Sequence, residues 1–114
     1  MEDLLRQTLL FDFYGELLTE HQQRVYEDVI CNDISCSEIA SLQGVSRQSV
    51  HDLVRRTQKQ LETYEEKLHL VEKFLRIRAD VCRIRDEAVS SAAEKRSPDL
   101  QLITAAADGI LKEL

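Results

Sequence analysis

One proline and three glycines in 114 residues leave too little turn punctuation for a many-stranded sandwich or barrel. No apolar run approaches the roughly 20 residues that span a bilayer. The opening Met1-Glu2-Asp3 has the wrong sign for a secretory leader. A cytoplasmic chain without membrane insertion is therefore expected. The cysteines are three, Cys31, Cys36 and Cys82, an odd number without framework spacing, and are expected to be small buried thiols rather than a disulfide scaffold. Cys31, Cys36 and His51 match no strong zinc pattern, so no metal is expected. The G-x-x-x-x-G-K-S/T phosphate loop is absent, and no nucleophile or paired-acid motif accompanies His21 or His69, which are expected on helix surfaces. Neither enzyme activity nor a cofactor is expected. A net charge of −6 and a pI near 5.0 count against a generic nucleic-acid packaging protein, which would be basic.

What remains is a chain with 43% hydrophobic and 32% charged residues, rich in Leu, Glu, Arg, Lys, Gln and Ala, which are good helix formers. An all-α fold is expected: one small domain with an attached arm. Leu5, Leu9, Leu10, Phe13, Tyr14, Leu17 and Leu18 make a broad apolar stripe on a helix over 3–18. Thr19-Glu20-His21-Gln22 is a capping box that opens a helix to about Cys31, and Asn32-Asp33 is a turn. Ser35-Cys36-Ser37-Glu38 is a second capping box, opening a short helix through Leu42. Gly44 suits a left-handed turn, and Ser46 suits the N-cap of the next helix.

The segment 35–57 carries the most information. Ile39, Ala40, Val50, Leu53 and Val54 supply an interior, and Val45 is expected to plug the angle between two helices that cross at small Ala40. This is the pattern of a helix-turn-helix. Arg47, Gln48, Ser49, His51, Asp52, Arg55 and Arg56 face outward on its second helix and are the candidate nucleic-acid-binding residues. Arg and Gln suit base edges, while Ser and Arg suit phosphates. The segment 34–60 carries Arg47, Arg55, Arg56 and Lys59 against Glu38 and Asp52, a net of +2, whereas 1–33 carries a net of −6.

Leu17-Leu18-Thr19-Glu20-His21-Gln22 followed by Ser37-Glu38-Ile39-Ala40 and Gly44-Val45-Ser46-Arg47-Gln48 resembles region 4 of bacterial sigma-70 factors. The chain has no room for the separate sigma domain that grips core polymerase. It is more closely similar to the small bacterial YlxM-like family, through Phe11-Asp12-Phe13-Tyr14, the core residues Val50, Asp52 and Arg56, and Tyr64-Glu65 with Lys67-Leu68. The likeness covers roughly residues 5–75, with Val29-Ile30-Cys31-Asn32 standing where the family has a tyrosine-rich segment. The resemblance implies a sigma region 4-like helix-turn-helix core with a long helical C-terminal arm. It also implies a regulatory protein acting in the signal recognition particle (co-translational targeting) pathway, with that particle's RNA or its targeting GTPase as partner. The alternative is a DNA-binding transcriptional regulator on duplex DNA.

The spacing predicts a helical domain over 1–60 and a helical arm over 61–114. Leu61, Tyr64, Leu68, Val71 and Leu75 follow one apolar stripe, and Phe74, Ile77, Val81, Ile84 and Ala88 a second, one residue out of phase. That shift predicts a break or bend near 68–74. Ser97 as N-cap and Pro98 as first helical residue are expected to open a last helix. Its seam is Leu100, Ile103, Ala107, Ile110 and Leu114. One small core cannot cover three stripes, so a homodimer through Leu75, Ile77, Val81, Ile84, Leu100 and Ile103 is expected, the alternative being a monomer whose arm folds back on the helix over 3–18. Arg76, Arg78, Arg83 and Arg85, interspersed with Asp80, Asp86 and Glu87, read as a solvated face laced with ion pairs.

Overall fold

The structure, a computed structural model, describes residues 2–114, with side chains from Leu4 onward. Among the described residues there are six α-helices and no strand: α1 (Glu2–Tyr14), α2 (Glu20–Tyr26), α3 (Cys36–Gln43), α4 (Arg47–Leu68), α5 (Leu70–Ala93) and α6 (Leu100–Glu113). A 3-10 turn over Gly15–Leu17 follows α1, and a π-helical turn over Glu27–Cys31 prolongs α2.

The local signals act where the sequence places them. Thr19 accepts from the Gln22 amide while the Gln22 side chain accepts from the Thr19 amide, a complete capping box. Ser35 accepts from the Glu38 amide, so this cap forms through the serine. Gly44 ends α3 at φ 68°, and Ser46 caps α4 through the Ser49 amide at 3.1 Å. The last helix departs from expectation. It starts at Leu100, and Asp99, not Ser97, is its N-cap, accepting from the Leu102 amide at 3.1 Å. The Asp99 amide is itself held by Glu87 at 2.7 Å, which orients this carboxylate cap.

The chain forms two compact units, one ending at Val71 and one spanning Glu72–Leu114. The first extends past residue 60 because Leu61, Glu65 and Val71 are built into its interior. Leu10, Tyr14, Leu18, Tyr26, Leu61 and Val71 form its main apolar cluster, from α1, α2, α4 and the start of α5. Tyr14 and Tyr64 rings lie 6.0 Å apart, and Phe11 and Tyr26 rings 5.6 Å apart. A polar ladder ties α2 to α4. Gln22 Nε2 donates to Gln60 Oε1, Gln60 Nε2 to the Tyr64 hydroxyl, and the Tyr26 hydroxyl to Gln58 Oε1. Burial pushes the Tyr26 phenol well above its ordinary value. Arg6 forks onto Glu62 through Nε and Nη2, a geometry that favours its charged form.

The break between the two apolar stripes falls at His69, which takes a left-handed φ of 56°. Buried Glu65 stitches the junction. Its Oε1 accepts from the Tyr14 hydroxyl at 2.6 Å and from the Val71 amide at 2.9 Å, while the Tyr14 oxygen accepts from the Leu70 amide at 3.1 Å. The first amides of α5 thus find acceptors in a tyrosine and a carboxylate from α1 and α4. Burial first, then the bond to Glu65, raises the Tyr14 pKa. One buried group is left over: the Thr57 hydroxyl has no partner among the described residues.

In the second unit α5 and α6 are antiparallel. Arg76 pairs with Glu113 at 3.2 Å, and Asp80 lies against Gly109, where a Cβ would come within 2.5 Å of Asp80 Oδ2. That close approach accounts for a glycine inside a helix, where it otherwise costs about 1 kcal/mol. At the connection Arg96 binds Glu87 and Glu94, which holds Glu87 below the usual carboxylate range.

The expectation of three buried thiols fails. All three are free, but Cys31 and Cys82 are exposed and Cys36 is half-buried. Cys31 ends the π-helical turn, and Cys82 lies on α5 away from its more buried face.

Candidate nucleic-acid interface

The interface is built from its supporting core outward. Val25 of α2, Ile39 and Ala40 of α3 and Val50 of α4 are buried together, with Val29, Ile34, Cys36, Leu53 and Val54 packed around them. Ala40 is small enough for α3 and α4 to cross closely. The turn closes when the Gly44 and Val45 amides both reach the Ala40 carbonyl, the latter at 3.1 Å. This turn overturns one expectation. Val45 spends its amide on the turn and leaves its side chain 48% exposed, and Val25, from outside the hairpin, fills the angle instead.

α4 starts on this core with a well-made first turn. Ser49 donates its amide to the Ser46 hydroxyl and its own hydroxyl to the Ser46 carbonyl. The first turn carries no acidic residue, so the positive end of the helix dipole is not neutralised there. Of the seven candidate residues, Arg47, Gln48, Ser49, His51, Arg55 and Arg56 are exposed and Asp52 is half-buried. Arg47, Gln48, His51 and Arg55 line one shallow concavity of about 460 Å³. Ser49, Asp52, Arg55 and Arg56 line a second on the other flank, so Arg55 stands between them.

Gln48 is not loose. Its Nε2 donates to Asp52 Oδ1 at 3.0 Å, which steadies the amide and leaves its carbonyl oxygen and second N–H able to meet a base edge. The same contact ties up one oxygen of the Asp52 carboxylate. The sequence reading missed the groove beside this face, lined by Gln7, Val29, Ile30, Cys36, Val54 and Gln58 together with His51 and Arg55. Its walls come from elements far apart in sequence, so no spacing rule points to it.

A capped helix with exposed Arg and Gln in its first turns, braced by a second helix across a glycine turn, is a helix-turn-helix. The sequence profile of the UPF0122 family, described as "Putative helix-turn-helix protein, YlxM / p13 like", matches residues 1–100. The chain belongs to this family. A UPF0122 protein of Symbiobacterium thermophilum is 44% identical over 98 residues, covering 83% of this chain and 92% of that protein. One of Shouchella clausii is 43% identical over 93 residues, 82% of this chain and 85% of its own. The UPF0122 protein YofM of Lactococcus lactis is 38% identical over 104 residues, 91% of this chain and 86% of its own. The family is thus described by its helix-turn-helix and not by a catalytic activity. No helix among the described residues is long and apolar enough to cross a membrane.

Proposed function

We propose that this UPF0122 protein is a non-enzymatic, cytoplasmic regulator that binds duplex DNA through α4. The observation that carries this reading is the ring of Arg47, Gln48, His51 and Arg55 around one open concavity at the capped start of a braced helix. Duplex DNA is favoured over duplex RNA on dimensions. An α-helix with its side chains is about 10–12 Å across and fits the roughly 12 Å major groove of B-form DNA. The deep, narrow major groove of A-form RNA does not admit it. Arg47 and Gln48 are the base-reading residues, and Arg55 and Arg56 engage phosphates. The setting in the signal recognition particle pathway, with its RNA or targeting GTPase as partner, rests on the family resemblance alone.

Selection from a random duplex pool, followed by titration, tests the reading. Arg47→Ala is expected to cost about 1–3 kcal/mol on the selected site. Arg55→Ala and Arg56→Ala are expected to weaken all sequences alike and to flatten the salt dependence. Absence of duplex affinity at low salt overturns the reading and leaves the fold unaffected.

A further inference from the structure

The helices α5 and α6 of the second unit hide one face against each other and leave another bare. On α5 the less exposed residues are Ile77, Asp80, Ile84, Glu87 and Ser91, and on α6 Ile103, Ala106, Ile110 and Glu113 are among them. At 100° per residue, Val81 and Ala88 lie about 70° round α5 from that shared face, and Leu100 and Leu111 about 100–120° round α6, with half-buried Ala107 about 80° round. Residue order winds in opposite senses in two antiparallel helices seen from one end, so both displacements fall on the same side of the hairpin. That side is open to solvent: Val81 is 49% exposed, and Leu100 and Leu111 are each 68% exposed.

We infer that this side is an interface with a second copy of the chain, stacked hairpin on hairpin as a four-helix bundle about a two-fold axis parallel to the helices. Charge and register both select this occupant. The pairs Arg76–Glu113 and Asp80–Gly109 set Val81 level with Asp108, Arg78 with Leu111 and Arg85 with Thr104. A two-fold along the helix axes keeps these heights and lays α5 of one copy over α6 of the other. Val81 then seats beside Ala107 and Leu111 of the second copy, and Ala88 beside its Leu100. Arg78 and Arg85 fall on either side of the second copy's Asp108, each within about 6 Å of it along the axis at 1.5 Å per residue. None of Arg78, Arg85 and Asp108 has an ion-pair partner in its own chain among the described residues. Leu100, Gln101, Thr104, Ala105 and Asp108 already line a shallow concavity at the height where Arg85 arrives. An isologous interface must carry both halves of each contact on one surface; the apolar residues lie on it, while Asp108, about 180° round α6 from the shared face, stands at its rim, where the long Arg78 and Arg85 side chains of the other copy reach it. The inference is independent of nucleic-acid binding.

Sedimentation equilibrium of the full chain at micromolar concentration is the test. The expected mass is twice the 13.2 kDa of the chain. Val81→Asp or Leu111→Asp is expected to raise the dimer dissociation constant on the order of 100-fold, because each substitution acts at two symmetric places. Asp108→Arg should also weaken the dimer. Adding Arg78→Asp and Arg85→Asp to that variant should restore it, a recovery that misfolding does not produce. A mass remaining at 13.2 kDa, a dimer indifferent to Val81→Asp, or no recovery in the triple reversal overturns the inference.

Discussion

Through Val71 ten hydrophobic side chains are buried among the described residues, Leu61 with five neighbours and four more beneath the helix-turn-helix. The Glu72–Leu114 unit buries only Ala106 and Ser91 among the described residues; Ile77, Ile84, Ile103 and Ile110 are half-buried, with Arg76–Glu113 at one end of the hairpin and the Glu87–Arg96–Asp99 group at the other. Ion pairs at a solvated rim contribute little, commonly 0–1 kcal/mol each, whereas a fully buried Leu contributes about 1.5–3 kcal/mol. The first unit therefore gains its stability from its own interior. The second has a thinner interior and leaves Val81, Leu100 and Leu111 exposed, the surface on which the inferred pairing rests.

The sharpest way to break this contrast is to carve both interiors. Leu61→Ala, at 0% exposure, is expected to lower unfolding free energy by about 2–5 kcal/mol through lost burial and a residual cavity. Ile84→Ala, half-buried between α5 and α6, should cost less than half as much in the same urea titration. Equal losses would mean that the second unit has a closed core after all.

A step smaller is the junction. Glu65→Ala removes the acceptor for the Tyr14 hydroxyl and the Val71 amide, and stranding those buried donors should cost about 1–3 kcal/mol. Glu65→Gln, which keeps an acceptor oxygen, should recover part of the loss in thermal unfolding. Next comes Gly44→Ala. A left-handed φ of 68° penalises any Cβ by about 1–2 kcal/mol, and nothing else crowds the position. The loss should therefore be purely conformational and should appear in hydrogen exchange at the α3–α4 turn. If Gly44→Ala is neutral, the turn is looser than its hydrogen bonds imply.

The smallest effect belongs to pH. Glu87 is held below its ordinary value of 4.5 by Arg96 first and the Asp99 amide second. A lowered folded pKa means that its contribution is present above the unfolded value and is lost as pH falls through the folded one. Acid below the ordinary Glu range should therefore loosen the connection between α5 and α6, followed by exchange of the Asp99 and Leu102 amides. Glu87→Gln should remove that part of the acid sensitivity, with little change at neutral pH because the group is solvent-screened.

Much of this architecture was readable in one dimension. Thr19 with Gln22, Ser35 with Glu38, Gly44 and Ser46 mark helix ends within four residues of themselves, so their chemistry needs no distant partner. The same locality exposed Arg47, Gln48, Arg55 and Arg56, because residues opposite an i, i+3, i+4 apolar stripe must face outward. The one-residue slip between the stripes marked the break now seen at His69.

Other features depended on groups far along the chain. Glu65, a charged helix residue by any local measure, is buried because Tyr14, 51 positions away, and the Val71 amide meet it. Val45 turned outward because Val25 already filled the helix angle, and Asp99 displaced Ser97 as a cap where Glu87 held its amide. Ile77 and Val81, four residues apart on one stripe, went to different fates once α6 covered the first and left the second exposed. Caps, turns and periodicity are governed by interactions within a helical turn and can be read from neighbours in the chain. Burial of a charge, and the choice of which apolar face stays open, are governed by elements that meet only in three dimensions.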